Sequence, residues 1–197
     1  MTEPLNRPGR DDADAKAWFY LDHRRDIEEW ANLRGEGAAL LERYLYGLEP
    51  AVQALADDLG ADVEYGDTEA GENPRFGLYK PRWAHGDVVD VVVMIEWEAK
   101  KLLRGTYNQW PWVGVRLNGS PGAKERWDAL AAALAPARKA LKAEMHDPWP
   151  IWRYVEPAAT AERVDVDALG QGLLAGLRQT WHVTAPAIDT ALGSIDG

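Results

Sequence analysis

Glu96, Glu98 and Lys100 stand at alternate positions in DVVDVVVMIEWEAKK, residues 87–101. On an extended chain, side chains two apart share a face, so two carboxylates and an amine would stand in a row. Such a row can chelate a divalent metal, contact a phosphate or form a hydrated rim. The odd positions Val89, Val91, Val93, Ile95, Trp97 and Ala99 are apolar without a break. The segment therefore reads as a long strand with one buried face, its charged half turned away from the core.

The Glu98-Ala99-Lys100 triplet, with Asp87 and Asp90 upstream, resembles the signature of the PD-(D/E)XK nuclease superfamily. The resemblance is confined to this short stretch. It implies that Glu98 and a second acid hold a divalent metal such as Mg, while Lys100 orients the attacking water. Asp90 is too distant to be that second acid, since the strand between it and Glu98 spans roughly 26 Å. A neighbouring strand would have to supply it, which makes Asp62, Glu64 and Glu98 the candidate metal ligands and Glu98 and Lys100 the catalytic pair. Gly105 and Asn108 after Lys100 suit a hairpin, whereas a helix follows in those nucleases. The preferred reading makes this strand the spine of a sheet and its charged end a rim, with no cofactor required.

The chain holds 10 tryptophans. Trp30 and Trp127 fall on apolar helix faces and Trp97 on the apolar face of the strand, all core positions. Trp83, Trp110, Trp112, Trp149 and Trp152 instead sit in or beside turn-rich segments, near Lys80, Arg82, Lys101, Arg104 and Arg116. Aromatic rings beside cations at loop tips can anchor a protein partner or stack nucleic-acid bases. They can equally plug the ends of a sheet. These ten residues are the candidate binding set.

Other chemistries are poorly supplied. With no cysteine, thiol catalysis, CxxC zinc sites and disulfides are excluded. His23, His85, His146 and His182 show no metal spacing, and neither Ser120 nor Ser194 lies in a G-x-S-x-G elbow. The Walker A and GxGxxG phosphate cradles are absent. Net charge is −10, which argues against bulk nucleic-acid binding. Residues 75–142, however, carry 12 Lys/Arg against 6 Asp/Glu, leaving a basic middle between acidic ends. No stretch approaches the roughly 18 apolar residues of a membrane helix, so the expectation is a cytoplasmic protein away from membranes. The Ala-, Gly- and Arg-rich composition resembles that of high-GC bacteria or their phages.

The elements that must position these residues follow from periodicity. Residues 1–16 read as a flexible acidic tail, and 17–197 as a single domain. A helix over about 23–34, capped by Asp22, would bury Ile27, Trp30 and Ala31 and end at Gly35 and Gly37. A second would carry Leu41, Leu45, Leu48, Val52, Leu55 and Leu59 to a stop at Gly60, with Pro50 bending or dividing it. Strands are expected over 61–65, 75–81, 87–101, 110–117 and 151–156. A helix carrying Trp127, Leu130, Leu134 and Leu141 is interrupted by Pro136, and another covers 160–181. The fold class is α+β: an antiparallel meander of four to five strands covered by helices, with an N-terminal helical pair. The function that fits is a non-enzymatic adaptor contacting a protein partner through tryptophan-rich loops. The alternative is nucleic-acid binding or metal-dependent nuclease action through the basic middle.

Overall fold

The computed structural model describes residues 12–66, 72–85, 88–103, 110–118, 123–156 and 164–195. Its helices are α1 (Asp12–Asp22), α2 (Arg24–Tyr46), α3 (Glu49–Leu59), α4 (Ala123–Ala133), α5 (Ala135–Ala140) and α6 (Val166–Ile195). The strands are β1 (Asp62–Tyr65), β2 (Arg75–Tyr79), β3 (Ala84–His85), β4 (Val88–Val89), β5 (Val91–Glu96), β6 (Trp112–Leu117), β7 (Glu144–His146) and β8 (Trp149–Tyr154). The fold is α+β. One sheet of six strands runs β1-β2-β5-β6-β8-β7, every neighbouring pair antiparallel, and β3-β4 form a separate ribbon.

The expected spine is shorter than its sequence pattern suggested. Its first part is diverted into the ribbon, where Val89 pairs with Ala84. Asp90 then interrupts the strand: its N–H donates to Trp83 O at 2.9 Å and its carbonyl accepts from the Asn118 N–H. Only Val91–Glu96 crosses the sheet, buried on both faces. After Trp97 the Glu98 carbonyl accepts the N–H groups of Lys101 and Leu102, so the chain turns. Apolar alternation continued through a ribbon and a turn, and alternation alone cannot mark where the ladder hydrogen bonds stop.

The helices pack on one face of the sheet. Phe76, Leu78, Val91, Val93, Ile95, Val113, Val115 and Ile151 meet Leu45, Val52, Leu130, Leu134 and the α6 series Leu169, Leu173, Leu177, Trp181 and Ile188 in one core. Pro50 lies in the first turn of α3, where a missing N–H costs nothing, and Gly60 closes that helix in the left-handed region at φ 61°. Pro136 likewise opens α5 and divides it from α4.

Several helical expectations change. α2 runs through Gly35 and Gly37 as one helix of 23 residues, Gly37 facing Leu103. Its buried stripe begins only at Ala38, so Trp30 is 70% exposed instead of core. Asp22 ends α1, and the N-cap position of α2 is His23, which makes no side-chain cap bond. α1 also begins inside the stretch read as a tail, of which residues 1–11 lie outside the described residues. At the other end α6 continues past Thr184 and through Pro186 to Ile195, held by buried Thr184, Ala185, Ile188 and Ala191. No described helix is long and apolar enough to cross a membrane.

Candidate ligand-binding pocket

Period-two alternation gives the sheet a second face. Val92 and Met94 of β5, Trp112 of β6 and Trp149 of β8 form a small separate cluster, flanked by Tyr79, Val89, Trp152 and Tyr154. No helix residue among the described residues belongs to it. On the same face the register sets Glu64 opposite Gly77, and Met94 opposite Gly114, which faces Trp152 on β8. Trp112 meets Trp149 at 5.9 Å between ring centroids and 75°, and Trp152 meets Tyr154 at 5.1 Å and 88°. Such edge-to-face contacts add roughly 0.5–1.5 kcal/mol beyond area burial.

These rings border a pocket of about 350 Å³, lined by Trp112, Trp149, Trp152, Tyr154, Asn73, Glu96, Glu98 and His146. That is the size of a small-ligand or single-side-chain site, about 300–1,000 Å³ being usual. Glu96 is its most buried polar member, 3% exposed. Oε1 accepts from Asn73 Nδ2 at 2.9 Å. Oε2 is buried and accepts no hydrogen bond from the described residues; its nearest cation is Arg116 NH1, 3.8 Å away. Burial pushes the Glu96 carboxyl above its ordinary value and nearby Glu72 adds to this, while Asn73, Arg116 and Arg75 offset only part. A buried acceptor without its bond costs on the order of 1–3 kcal/mol, more when charged. Trp152 Nε1 and Arg116 Nε are also buried without an acceptor among the described residues.

Arg75 anchors one side of this face. It is buried, forks onto Glu64 through Nε at 3.1 Å and NH2 at 2.6 Å, and reaches Glu72 through NH1 at 2.7 Å. On the other side Gly114 sets the spacing of β6 and β8. A Cβ there would strike the Ile151 carbonyl oxygen and lie 3.0 Å from Trp152 Cα. Only glycine lets β8 approach closely enough to bring Trp152 to the pocket.

The candidate binding residues separate into groups. Trp112, Trp149 and Trp152 come together in the pocket, and Arg116 lies beside it, its guanidinium carbon 5.8 Å from the Trp149 ring centroid. Trp83 is elsewhere: 1% exposed on the helix side, its ring 5.1 Å from Trp181 and its Nε1 donating to Asp189 at 2.7 Å. Lys80 and Arg82 also bind Asp189, so these three tie β2 and its following turn to the end of α6. Trp110 packs half-buried against the main core. Lys101 pairs with Glu98 at 2.8 Å, and Arg104 lies outside the described residues.

The acids of the nuclease-like reading are not brought together. Glu98 and Lys100 sit in the turn after β5, not on a common strand face, and Lys100 is exposed. Glu64 is held by Arg75, and β1, which carries Asp62 and Glu64, is separated from β5 by β2. Among the described residues no three His, Asp or Glu side chains cluster as a metal site would require. Asp87 lies outside the described residues.

Asn73, Tyr154 and His146 line the pocket although nothing in their local sequence marked them. Glu96 had a signal: it continues the even-numbered face of Val92 and Met94, the face that Trp112 and Trp152 also join. No protein-family model matches the chain, and comparison with curated proteins and with solved structures finds no match.

Proposed function

We propose that the protein is a non-enzymatic binding protein that holds a protein partner against the helix-free face of its sheet, taking one partner side chain into the aromatic pocket. The carrying observation is Glu96: a buried carboxylate whose Oε2 takes no hydrogen bond from the described residues, lining a pocket walled by Trp112, Trp149, Trp152 and Tyr154. A fold gains nothing for its own stability from such a group. A ligand that completes its bonds gives the group a purpose, and rings gathered around a desolvated polar centre are what binding hot spots are made of.

Affinity capture with the immobilised protein tests this, with Trp152→Ala, Glu96→Gln and the distant Trp30→Gln as parallel baits. One partner should be retained by wild type and Trp30→Gln and lost by both pocket variants, with all four baits folded by melting curve. A partner retained equally by the pocket variants would exclude the pocket as the contact site.

A further inference from the structure

We infer that the group this pocket takes is an organic cation, the guanidinium or ammonium head of an arginine or lysine side chain on the partner. The inference rests on the pocket being the contact site. Three observations converge on it. The first is the shape of the walls. Trp112 meets Trp149 at 75° and Tyr154 at 86°, and Trp152 meets Tyr154 at 88°, so neighbouring rings stand nearly perpendicular. Rings set this way surround a compact group and offer no extended platform for a flat one, and the faces of indole and phenol attract cations. The chain's own Arg116 already stands 5.8 Å over Trp149.

The second observation is the acceptor. Glu96 Oε2 is buried, its residue lines the pocket, and it receives no hydrogen bond from the described residues, the Arg116 guanidinium stopping 3.8 Å short of it. A cationic donor would complete it as a charge-assisted hydrogen bond. The third is the sign of the surroundings. Glu98 lines the pocket with Glu96. Burial raises the Tyr154 hydroxyl above its ordinary value, and the carboxylates of Glu98, Glu144 and Glu156 push it further the same way. Two acids thus line the pocket and two more act on Tyr154. Of the nearby cations, Arg75 is forked onto Glu64 and Glu72, Lys101 pairs with Glu98, and Arg116 stands 3.8 Å from Glu96.

The test is a titration of ¹⁵N-indole signals with N-acetyl-arginine methylamide, N-acetyl-lysine methylamide and, as neutral isostere, N-acetyl-citrulline methylamide. The two cations should move the signals of Trp112, Trp149 and Trp152 while leaving Trp83 and Trp181 in place. Citrulline should bind at least roughly tenfold more weakly, and Glu96→Gln should weaken the cations by a similar factor while its own spectrum stays dispersed. Citrulline binding as tightly as arginine, or cations unaffected by Glu96→Gln, would overturn the cation assignment and leave the pocket as the contact site. Cations that move only indoles outside the pocket would overturn both. Silence from all three probes at millimolar concentration would also overturn the assignment, with the capture experiment judging the contact site separately.

Discussion

Arg116 and Glu96 occupy adjacent strands of one sheet face yet do not complete a bond: NH1 stops 3.8 Å from Oε2. The register explains the shortfall. Arg116 pairs with Val92, and Glu96 pairs with Trp112, so the guanidinium must reach along roughly four residues of strand, about 13 Å, to approach the acid. It is further shared with Glu72, at 4.0 Å. The pair attracts across the gap without satisfying the buried oxygen.

Glu96→Gln should therefore stabilise the protein. Burial raises the folded-state value of Glu96 above that of the unfolded chain. Its contribution to stability is then full below the unfolded value and is lost as pH rises through the folded value. Gln is neutral at every pH and keeps the acceptor for Asn73. Thermal melts should show Glu96→Gln above wild type by a few degrees at neutral pH, the gap closing as pH falls, each kcal/mol being worth about 2–4 °C at this size. A lower melting temperature at neutral pH would contradict this.

Asp189 should show the opposite dependence. Burial pushes its carboxyl up, but hydrogen bonds from Lys80, Trp83 and Arg82 more than reverse this and leave it below its ordinary value. The stability it lends is present above the unfolded value, about 3.9, and is lost as pH falls through the lowered folded value. Asp189→Asn should flatten the acid limb of the stability curve. Asp189→Ala should cost about 3 kcal/mol in urea unfolding, because Lys80 and the buried Trp83 Nε1 lose their acceptor.

Gly114→Ala should disrupt the pocket from beneath. The new methyl would meet the Ile151 carbonyl and the Trp152 backbone, neither of which can rotate away. A loss of about 1–3 kcal/mol is expected, as for overpacking elsewhere. The Trp152 indole signal should shift more than that of Trp181, which lies on the opposite side of the sheet.

Trp30 marks where sequence periodicity misled. Ile27, Trp30 and Ala31 share a helical face, but the core begins at Ala38, about two turns later, and Trp30 is exposed. Trp30→Gln should change stability by no more than about 0.5 kcal/mol. Periodicity identified the α+β meander because alternation and helical spacing follow directly from side-chain geometry. It found the faces of Val93, Val113 and Val115 for the same reason. It could not tell that Trp83 turns inward to Asp189, a residue distant in the chain, while Trp112, Trp149 and Trp152 gather on the other face. Those outcomes depend on long-range pairing and on the close approach at Gly114. Glu98 and Lys100 misled in a different way, since their spacing has meaning only while the strand lasts and the strand ends at Glu96.

The most direct test of the account is the ¹³C carboxyl titration of Glu96, with and without N-acetyl-arginine methylamide. The free protein should titrate Glu96 above the ordinary glutamate value, and the cation should pull that midpoint down as it completes the Oε2 bond. A midpoint at or below the ordinary value, unmoved by the cation, would contradict the claim that the fold holds Glu96 ready for a ligand.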